Sequence, residues 1–169
     1  MATPNDRSIV ITGFMGTGKT TVGTMLARQL ARPFVYTDVE IVKRAGKPIP
    51  AIFAEDGEPV FRQYERDLVA ELAEKRGLVI ATGGGMLVNP ENRDRLLPTA
   101  LVVCLDASAE VIGARLSRDS GRPLAANWAE LLEKRRAAYA AIPLHVNTAN
   151  CTPEQVAERI IRLWQTEST

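Results

Sequence analysis

Apolar and polar positions follow two rhythms along the chain. Five short runs are almost continuously apolar: "SIVIT" (8–12), "FVY" (34–36), "LVIAT" (78–82), "ALVVCL" (100–105) and "LHVNT" (144–148). Runs of this kind are expected of parallel strands buried on both faces. Between them apolar residues recur at helical spacing: Val22, Leu26 and Leu30, then Phe61, Tyr64, Leu68 and Leu72, then Val156, Ile160, Leu163 and Trp164. Two helix starts carry capping signals. Asn127 has Glu130 three residues on, and Thr152 has Pro153 at the first helical position and Gln155 at the third. Alternation of strand and helix from end to end predicts an α/β fold, a parallel sheet covered by helices on both faces. No repeat or linker interrupts it, so residues 1–169 read as one domain. The polar "QTEST" at the end is expected to fray, or to begin a junction to a further domain.

Composition narrows the function. With 169 residues and 46% hydrophobic content, the chain can bury a proper core. Lys and Arg number 21 against 20 Asp and Glu, so no excess of basic charge points to nucleic acid. There is no apolar run of about 18 residues to span a membrane. "MATPNDRSIV" lacks the basic and then apolar regions of a secretory signal. Two scattered cysteines, Cys104 and Cys151, fit reduced thiols in a cytoplasmic protein rather than a disulfide framework. A single histidine, His145, leaves a zinc site or a histidine-centred triad little to build on, and its place beside Val146 reads as structural.

The strongest chemical signal is "GFMGTGKT", Gly13 to Thr20, which matches G-x-x-x-x-G-K-[ST] in full between the first strand and a helix. Glycines let successive backbone N–H groups turn inward around an anion, and the helix N-terminus adds partial positive charge. Gly13, Met15, Gly16, Thr17, Gly18 and Thr21 form this cradle; Lys19 is expected to reach the β- and γ-phosphates. Thr20 is expected to offer its hydroxyl to Mg²⁺, the metal that accompanies ATP. The D-x-x-G and N-K-x-D motifs of GTPases do not occur, so a kinase for a small acceptor is the natural candidate.

Acceptor chemistry is expected at the carboxyl ends of the strands. Asp38 lies there in "YTDVE", either as a ligand or as a helix N-cap. Arg62 and Glu65 begin a helix in "EPVFRQYERDL", where they could equally be an exposed i, i+3 pair. Three consecutive glycines, Gly83, Gly84 and Gly85, follow the third strand, and Arg135 and Arg136 lie in "LLEKRRAAY". Arg136 reads as part of a solvated face. "SRDSGRPL" has the composition of a mobile lid, spanning about 117–126.

Taken together, "GFMGTGKT", "TDVEI", "IFAEDGEPVFRQYE", "TGGGM", "GRPL" and "EKRRAAY" resemble the shikimate kinase family over nearly the whole chain. The resemblance implies a three-layer P-loop kinase fold with strand order 2-3-1-4-5, and an acceptor-binding helical region at about 38–76. It implies ATP-dependent phosphorylation of the 3-hydroxyl of shikimate, on the route to chorismate and the aromatic amino acids, by a cytoplasmic enzyme expected to be a monomer. Under it Arg62 and Arg135 clamp the substrate carboxylate, as suits a guanidinium fork. Asp38 orients or deprotonates the attacking hydroxyl, while Phe53 and Phe61 form an apolar wall. Glu65 holds Arg62. The three glycines let the main chain approach the acceptor and the γ-phosphate. Arg122 closes with the lid over the phosphates, and Arg115 stacks on adenine, whose other face meets the loop from Ala149 to Pro153.

One position departs from the family pattern. D-x-D is usual at the end of the second strand, and here Tyr36 replaces the first aspartate. A phenol with an ordinary pKa of about 10 is neutral at pH 7 and a poor substitute for a carboxylate. The metal would then rest on Thr20, phosphates and water, or recruit Glu40 or Asp106, or the chain would be a weakened, nucleotide-binding relative. The first is the favoured expectation. Other rivals are a gluconate or nucleoside monophosphate kinase, against which the set Asp38, Arg62, triple glycine and Arg135 argues.

Overall fold

A computed structural model describes residues 6–118 and 127–167 of the chain. Five parallel strands form one sheet: β1 (Ser8–Gly13), β2 (Phe34–Tyr36), β3 (Val79–Ala81), β4 (Ala100–Asp106) and β5 (Leu144–Asn147). Their order across the sheet is β2-β3-β1-β4-β5, as expected. Register is tight at the centre, where Ile11 stands opposite Ala81 on one side and Val103 on the other. β2 and β3 are shorter than a typical strand, and the predicted third strand loses Leu78 and Thr82 from its ends.

The continuous apolar runs are explained by two cores. On one face of the sheet Ile9, Ile11, Leu101 and Val103 pack against Val22 and Leu26 of α1 (Lys19–Leu30) and Val156 and Ile160 of α8 (Pro153–Glu167). On the other face Val10, Ile80, Val102 and Cys104 meet Leu68 and Leu72 of α4 (Glu58–Glu74), with Leu96, Ile112 and Tyr139. Those last three come from α5 (Pro90–Leu96), α6 (Ala109–Arg118) and α7 (Trp128–Ala140). Alternate residues of β1 thus serve opposite cores, so Ile9, Val10 and Ile11 are apolar in succession.

Two short helices, α2 (Thr37–Ala45) and α3 (Ile49–Glu55), lead from the edge strand β2 into α4. α2 carries Asp38 and Glu40 in its first turn and Lys43 and Arg44 in its last, charges that complement the helix dipole. Gly46, at φ 72°, ends it. Asp38 thus lies just past the end of β2, as expected, in the first turn of α2 and not at its N-cap, a position that Tyr36 occupies in extended conformation.

Of the two predicted capping boxes, one forms. The Thr152 amide donates to Gln155 Oε1 at 2.9 Å, and the Gln155 amide donates to Thr152 Oγ1 at 3.2 Å. Asn127 precedes α7, but its side chain accepts no capping hydrogen bond. At the other end α8 continues through Glu167, so Gln165 to Glu167 are helical rather than frayed. Among the described residues, no helix is long and apolar enough to cross a membrane.

Candidate active site

The glycine-rich turn after β1 takes its shape from its sequence. Gly13 has φ 136°, and a Cβ there would lie 2.6 Å from the Leu105 carbonyl oxygen of β4, a backbone atom that cannot yield. Gly18 caps α1 at φ 92°. Thr17, buried, donates its hydroxyl to the Phe14 carbonyl at 2.7 Å and closes the turn internally. Lys19 is 9% exposed, and its Nζ donates to the carbonyls of Gly13 at 2.6 Å and Phe14 at 3.4 Å, which holds the cation over the loop. Thr20 is exposed beside it in the first turn of α1.

This loop floors a cleft of about 710 Å³. Of the phosphate-loop and acceptor candidates among the described residues, all but Gly13 line it, as does Arg115, whereas Glu40, Asp106 and Ala149 do not. Arg122, with residues 119–126 of the expected lid, falls outside the described residues.

On the acceptor side three charged groups converge from three helices. Arg62 donates from Nη1 to Glu65 Oε1 at 2.7 Å, and from Nη2 to Glu58 Oε1 at 3.2 Å. Glu65 is 1% exposed, so the exposed-pair reading fails: this is a buried carboxylate fixing a half-buried guanidinium. Burial raises the Glu65 pKa above the usual carboxylate range, opposed mainly by Arg62. Burial alone would lower the Arg62 pKa, but the hydrogen bonds and charges of Glu65 and Glu58 together outweigh it, and the net shift is upward. The Arg62 guanidinium also lies 5.2 Å from the centroid of Phe61, whose ring is 4.9 Å from that of Phe53. The expected apolar wall is thus a tilted aromatic pair.

The glycine triplet has a reason that its sequence alone did not supply. A Cβ on Gly83 would lie 2.5 Å from Asp38 Oδ1, one on Gly84 3.0 Å from Arg135 Nη1, and one on Gly85 2.6 Å from Arg62 Nη1. Side chains are stripped from this corner so that the protein's own three charged groups can lie against it. Two partners of the corner escaped the sequence reading. Thr37, fully buried, accepts from the Gly83 amide at 3.0 Å, and Tyr139 donates its hydroxyl to the Gly84 carbonyl at 2.7 Å. Burial pushes the Tyr139 phenol up to about 12, which keeps it a donor. Its only sequence signal is its position four residues after Arg135, on the same helix face. Beneath the corner, Thr82 donates to Thr12 at 2.8 Å, both fully buried, joining the ends of β3 and β1.

Tyr36 lines the cleft and points its hydroxyl at Asp38 Oδ2, 3.4 Å away. Neither expected substitute carboxylate joins them. Glu40 lies 3.6 Å from Lys43 in a surface pair, and Asp106 faces His145 across β4 and β5, with Nδ1 2.8 Å from Oδ2. His145 Nε2 also contacts the Ile142 carbonyl at 2.8 Å, and Cys104 donates to Asp106 at 3.7 Å. These contacts make a hydrogen-bonded cluster of Cys104, Asp106 and His145 outside the cleft lining. Arg136 pairs with Glu133 on the solvated face of α7. On the nucleotide side Arg115 donates to the Gly16 carbonyl at 2.8 Å, and Thr148, Cys151 and Pro153 complete the wall.

A protein-family model described as "SKI: Shikimate kinase" matches residues 15–165. The chain is 44% identical over 161 residues to the shikimate kinase of Pelotomaculum thermopropionicum, a match covering 92% of this chain and 94% of that protein. It is 48% identical over 147 residues to that of Desulforudis audaxviator, covering 84% and 78%. Among solved structures, the shikimate kinase from Acinetobacter baumannii in complex with shikimate superposes with a TM-score of 0.86 at 35% identity, covering 95% of this chain and 93% of that one. A gluconokinase from Sinorhizobium meliloti, at 21% identity and a TM-score of 0.60, shares the fold alone.

Proposed function

The chain belongs to the shikimate kinase family, and from that premise we propose that it transfers the γ-phosphoryl group of ATP to the 3-hydroxyl of shikimate. The observation that carries this reading is the shared cleft. The phosphate loop and the set Asp38, Arg62 and Arg135 open into the same space, with Gly83 to Gly85 between them. Two guanidinium groups suit one carboxylate, and Asp38 is the acid residue left to address ring hydroxyls.

The reaction needs little covalent help and much positioning. Backbone N–H groups of the phosphate loop and Lys19 bind the β- and γ-phosphates. Arg62 and Arg135 hold the shikimate carboxylate, and the Phe53–Phe61 pair supports the ring. Asp38 orients the 3-hydroxyl and takes its proton as the hydroxyl oxygen bonds to the γ-phosphorus. The bond from that phosphorus to the bridging oxygen breaks, and ADP leaves with the electron pair. Arg122, assigned from its place in "GRPL", closes over the phosphates, and Arg115 borders the base.

The residues fit Mg²⁺ through Thr20, whose exposed hydroxyl stands at the phosphate end of the cleft. Bound there with phosphate oxygens and water, the ion would offset phosphate charge. Tyr36 supplies no charge for it, so metal affinity rests on fewer protein ligands. Tyr36 is the one support for the weakened nucleotide-binding module, and the set Lys19, Asp38, Arg62 and Arg135 in one cleft speaks against it. With ATP and shikimate as substrates, the enzyme works in the cytoplasm as a monomer.

The test is a coupled ADP-release assay with ATP, offering shikimate, gluconate, AMP and CMP separately over a Mg²⁺ titration. Turnover with shikimate alone is expected. ATP binding without shikimate turnover, or comparable rates with gluconate, would overturn the proposal.

A further inference from the structure

We propose that Arg93 and Asn92 of α5, neither of which lines the cleft, are positioning residues for the acceptor: they hold the corner on which Asp38, Arg62 and Arg135 are arranged. The inference rests on the shikimate kinase reading of that site and extends it to residues behind it.

Residues 83–88 leave β3 and enter α5 without a ladder to guide them. The main chain makes a single 3-10 turn over Met86–Val88, with the Met86 amide donating to the Gly83 carbonyl at 3.3 Å and the Val88 amide to the Gly85 carbonyl at 3.2 Å. Side chains do the rest. Asn92 Nδ2 donates to the Met86 carbonyl at 2.9 Å, and Arg93 Nη1 donates to the carbonyls of Leu87 and Val88, both at 3.0 Å. Three consecutive carbonyls are therefore fixed from α5, in addition to Thr37 and Tyr139 at the glycine end. The two protons of one guanidinium nitrogen diverge by ~120° in a fixed plane, which suits two adjacent carbonyls better than a freely turning ammonium.

The burial pattern agrees. Met86 and Leu87 are fully buried, so they pin the corner from below, and Asn92 is 2% exposed. Its Oδ1 has no hydrogen-bond partner among the described residues. A buried orphan acceptor costs stability, and an apolar residue would avoid that cost. The amide is retained where its Nδ2 fixes Met86, directly after Gly85. A Cβ at Gly85 would stand 2.6 Å from Arg62 and 3.1 Å from Arg135, so a small displacement of this corner moves the surface against which both guanidinium groups rest. The hydrogen bonds of Asn92 and Arg93 go to residues 86–88 and not to the phosphate loop. The expected signature is therefore selective, falling on the acceptor and sparing the nucleotide.

The experiment compares Arg93→Met, which keeps much of the volume and removes the donors, with Arg93→Lys and the parent enzyme. kcat and the KM values for shikimate and ATP are measured separately, with thermal midpoints alongside. Arg93→Met should lower kcat/KM for shikimate by about tenfold or more, while KM for ATP stays within about twofold. Arg93→Lys should recover much of the loss, because an ammonium can still serve one or both carbonyls. A lowered midpoint with unchanged shikimate kinetics would show a purely structural role and overturn the inference, and so would equal losses for both substrates. Should Arg93→Met fail to fold, Arg93→Lys carries the same comparison, with a selective shikimate defect expected. Absence of shikimate turnover in the parent would overturn the functional reading itself, and is told apart by that control.

Discussion

Gly85→Ala is the sharpest perturbation the site allows. Gly85 has φ −94° and ψ −9°, a conformation open to alanine, so the backbone need not move. The new methyl would lie 2.6 Å from Arg62 Nη1 and 3.0 Å from Nη2, against ordinary contact at 3.4 Å or more. Arg62 must retreat by roughly 0.8 Å, a shift its flexible side chain can make. It is tethered, however, by Glu65 at 2.7 Å through the same Nη1, and by Glu58 at 3.2 Å through Nη2. Retreat therefore misplaces the guanidinium rather than expelling it. Misplacement on the order of 1 Å can cost ~100-fold in rate, equivalent to about 2.7 kcal/mol of transition-state stabilisation. Stability should change little, because losing a glycine restricts the unfolded chain by about 0.4–1 kcal/mol in the opposite sense to the strain. The assay is kcat/KM for shikimate by ADP release, with KM for ATP and the thermal midpoint as controls. A Gly85→Ala enzyme within about threefold of the parent for shikimate would refute the reasoning.

Three further outcomes follow from the same geometry. Burial raises the Glu65 pKa, so the folded chain keeps this proton to higher pH than the unfolded chain does. The associated stability is fully present below the unfolded pKa and is lost as pH rises through the folded one. Glu65→Gln should flatten that fall in urea midpoints taken from about pH 4 to about pH 7, and an unchanged slope would count against it. Tyr139→Phe removes the donor to the Gly84 carbonyl and should cost about 1 kcal/mol in denaturant unfolding, with a higher KM for shikimate; a stability equal to the parent's would contradict that bond. Tyr36→Asp should lower the Mg²⁺ concentration for half-maximal rate, since it adds a carboxylate beside Asp38, and an identical Mg²⁺ curve would sink the idea.

The central strands were legible because double-sided burial writes itself as apolar runs, while β5 alternates instead, with His145 and Asn147 exposed; "GFMGTGKT" was legible because its glycines encode a backbone path. Asp38, Arg62 and Arg135 carry no such local mark. They lie far apart in sequence, each has an ordinary surface role open to it, and only their order within a familiar pattern brought them together. Thr37, Tyr139, Asn92 and Arg93 stayed unread for a different reason. They bond main-chain atoms of an irregular corner, and such contacts have no period. The Asn127 capping signal failed in the opposite way: residue types that permit a box do not compel one, and Asn127 itself sits at φ −125° and ψ 19° with no side-chain capping bond. Asp106 was misplaced because a carboxylate at a strand end looks available until the neighbouring strand supplies His145.

The buried Thr12–Thr82 hydrogen bond joins the two strands from which the phosphate loop and the glycine corner emerge. Neighbouring strands stand about 4.8 Å apart, a spacing fixed by main-chain hydrogen bonding. Under the proposed function, the gap between phosphate donor and hydroxyl acceptor is gauged by a sheet, the stiffest ruler a protein owns, while the groups assigned to choose the acceptor hang on helices to one side. Selectivity can be rewritten along α2, α4 and α7 without recalibrating the transfer distance, and a descendant enzyme could inherit the ruler intact while it learned a new alcohol.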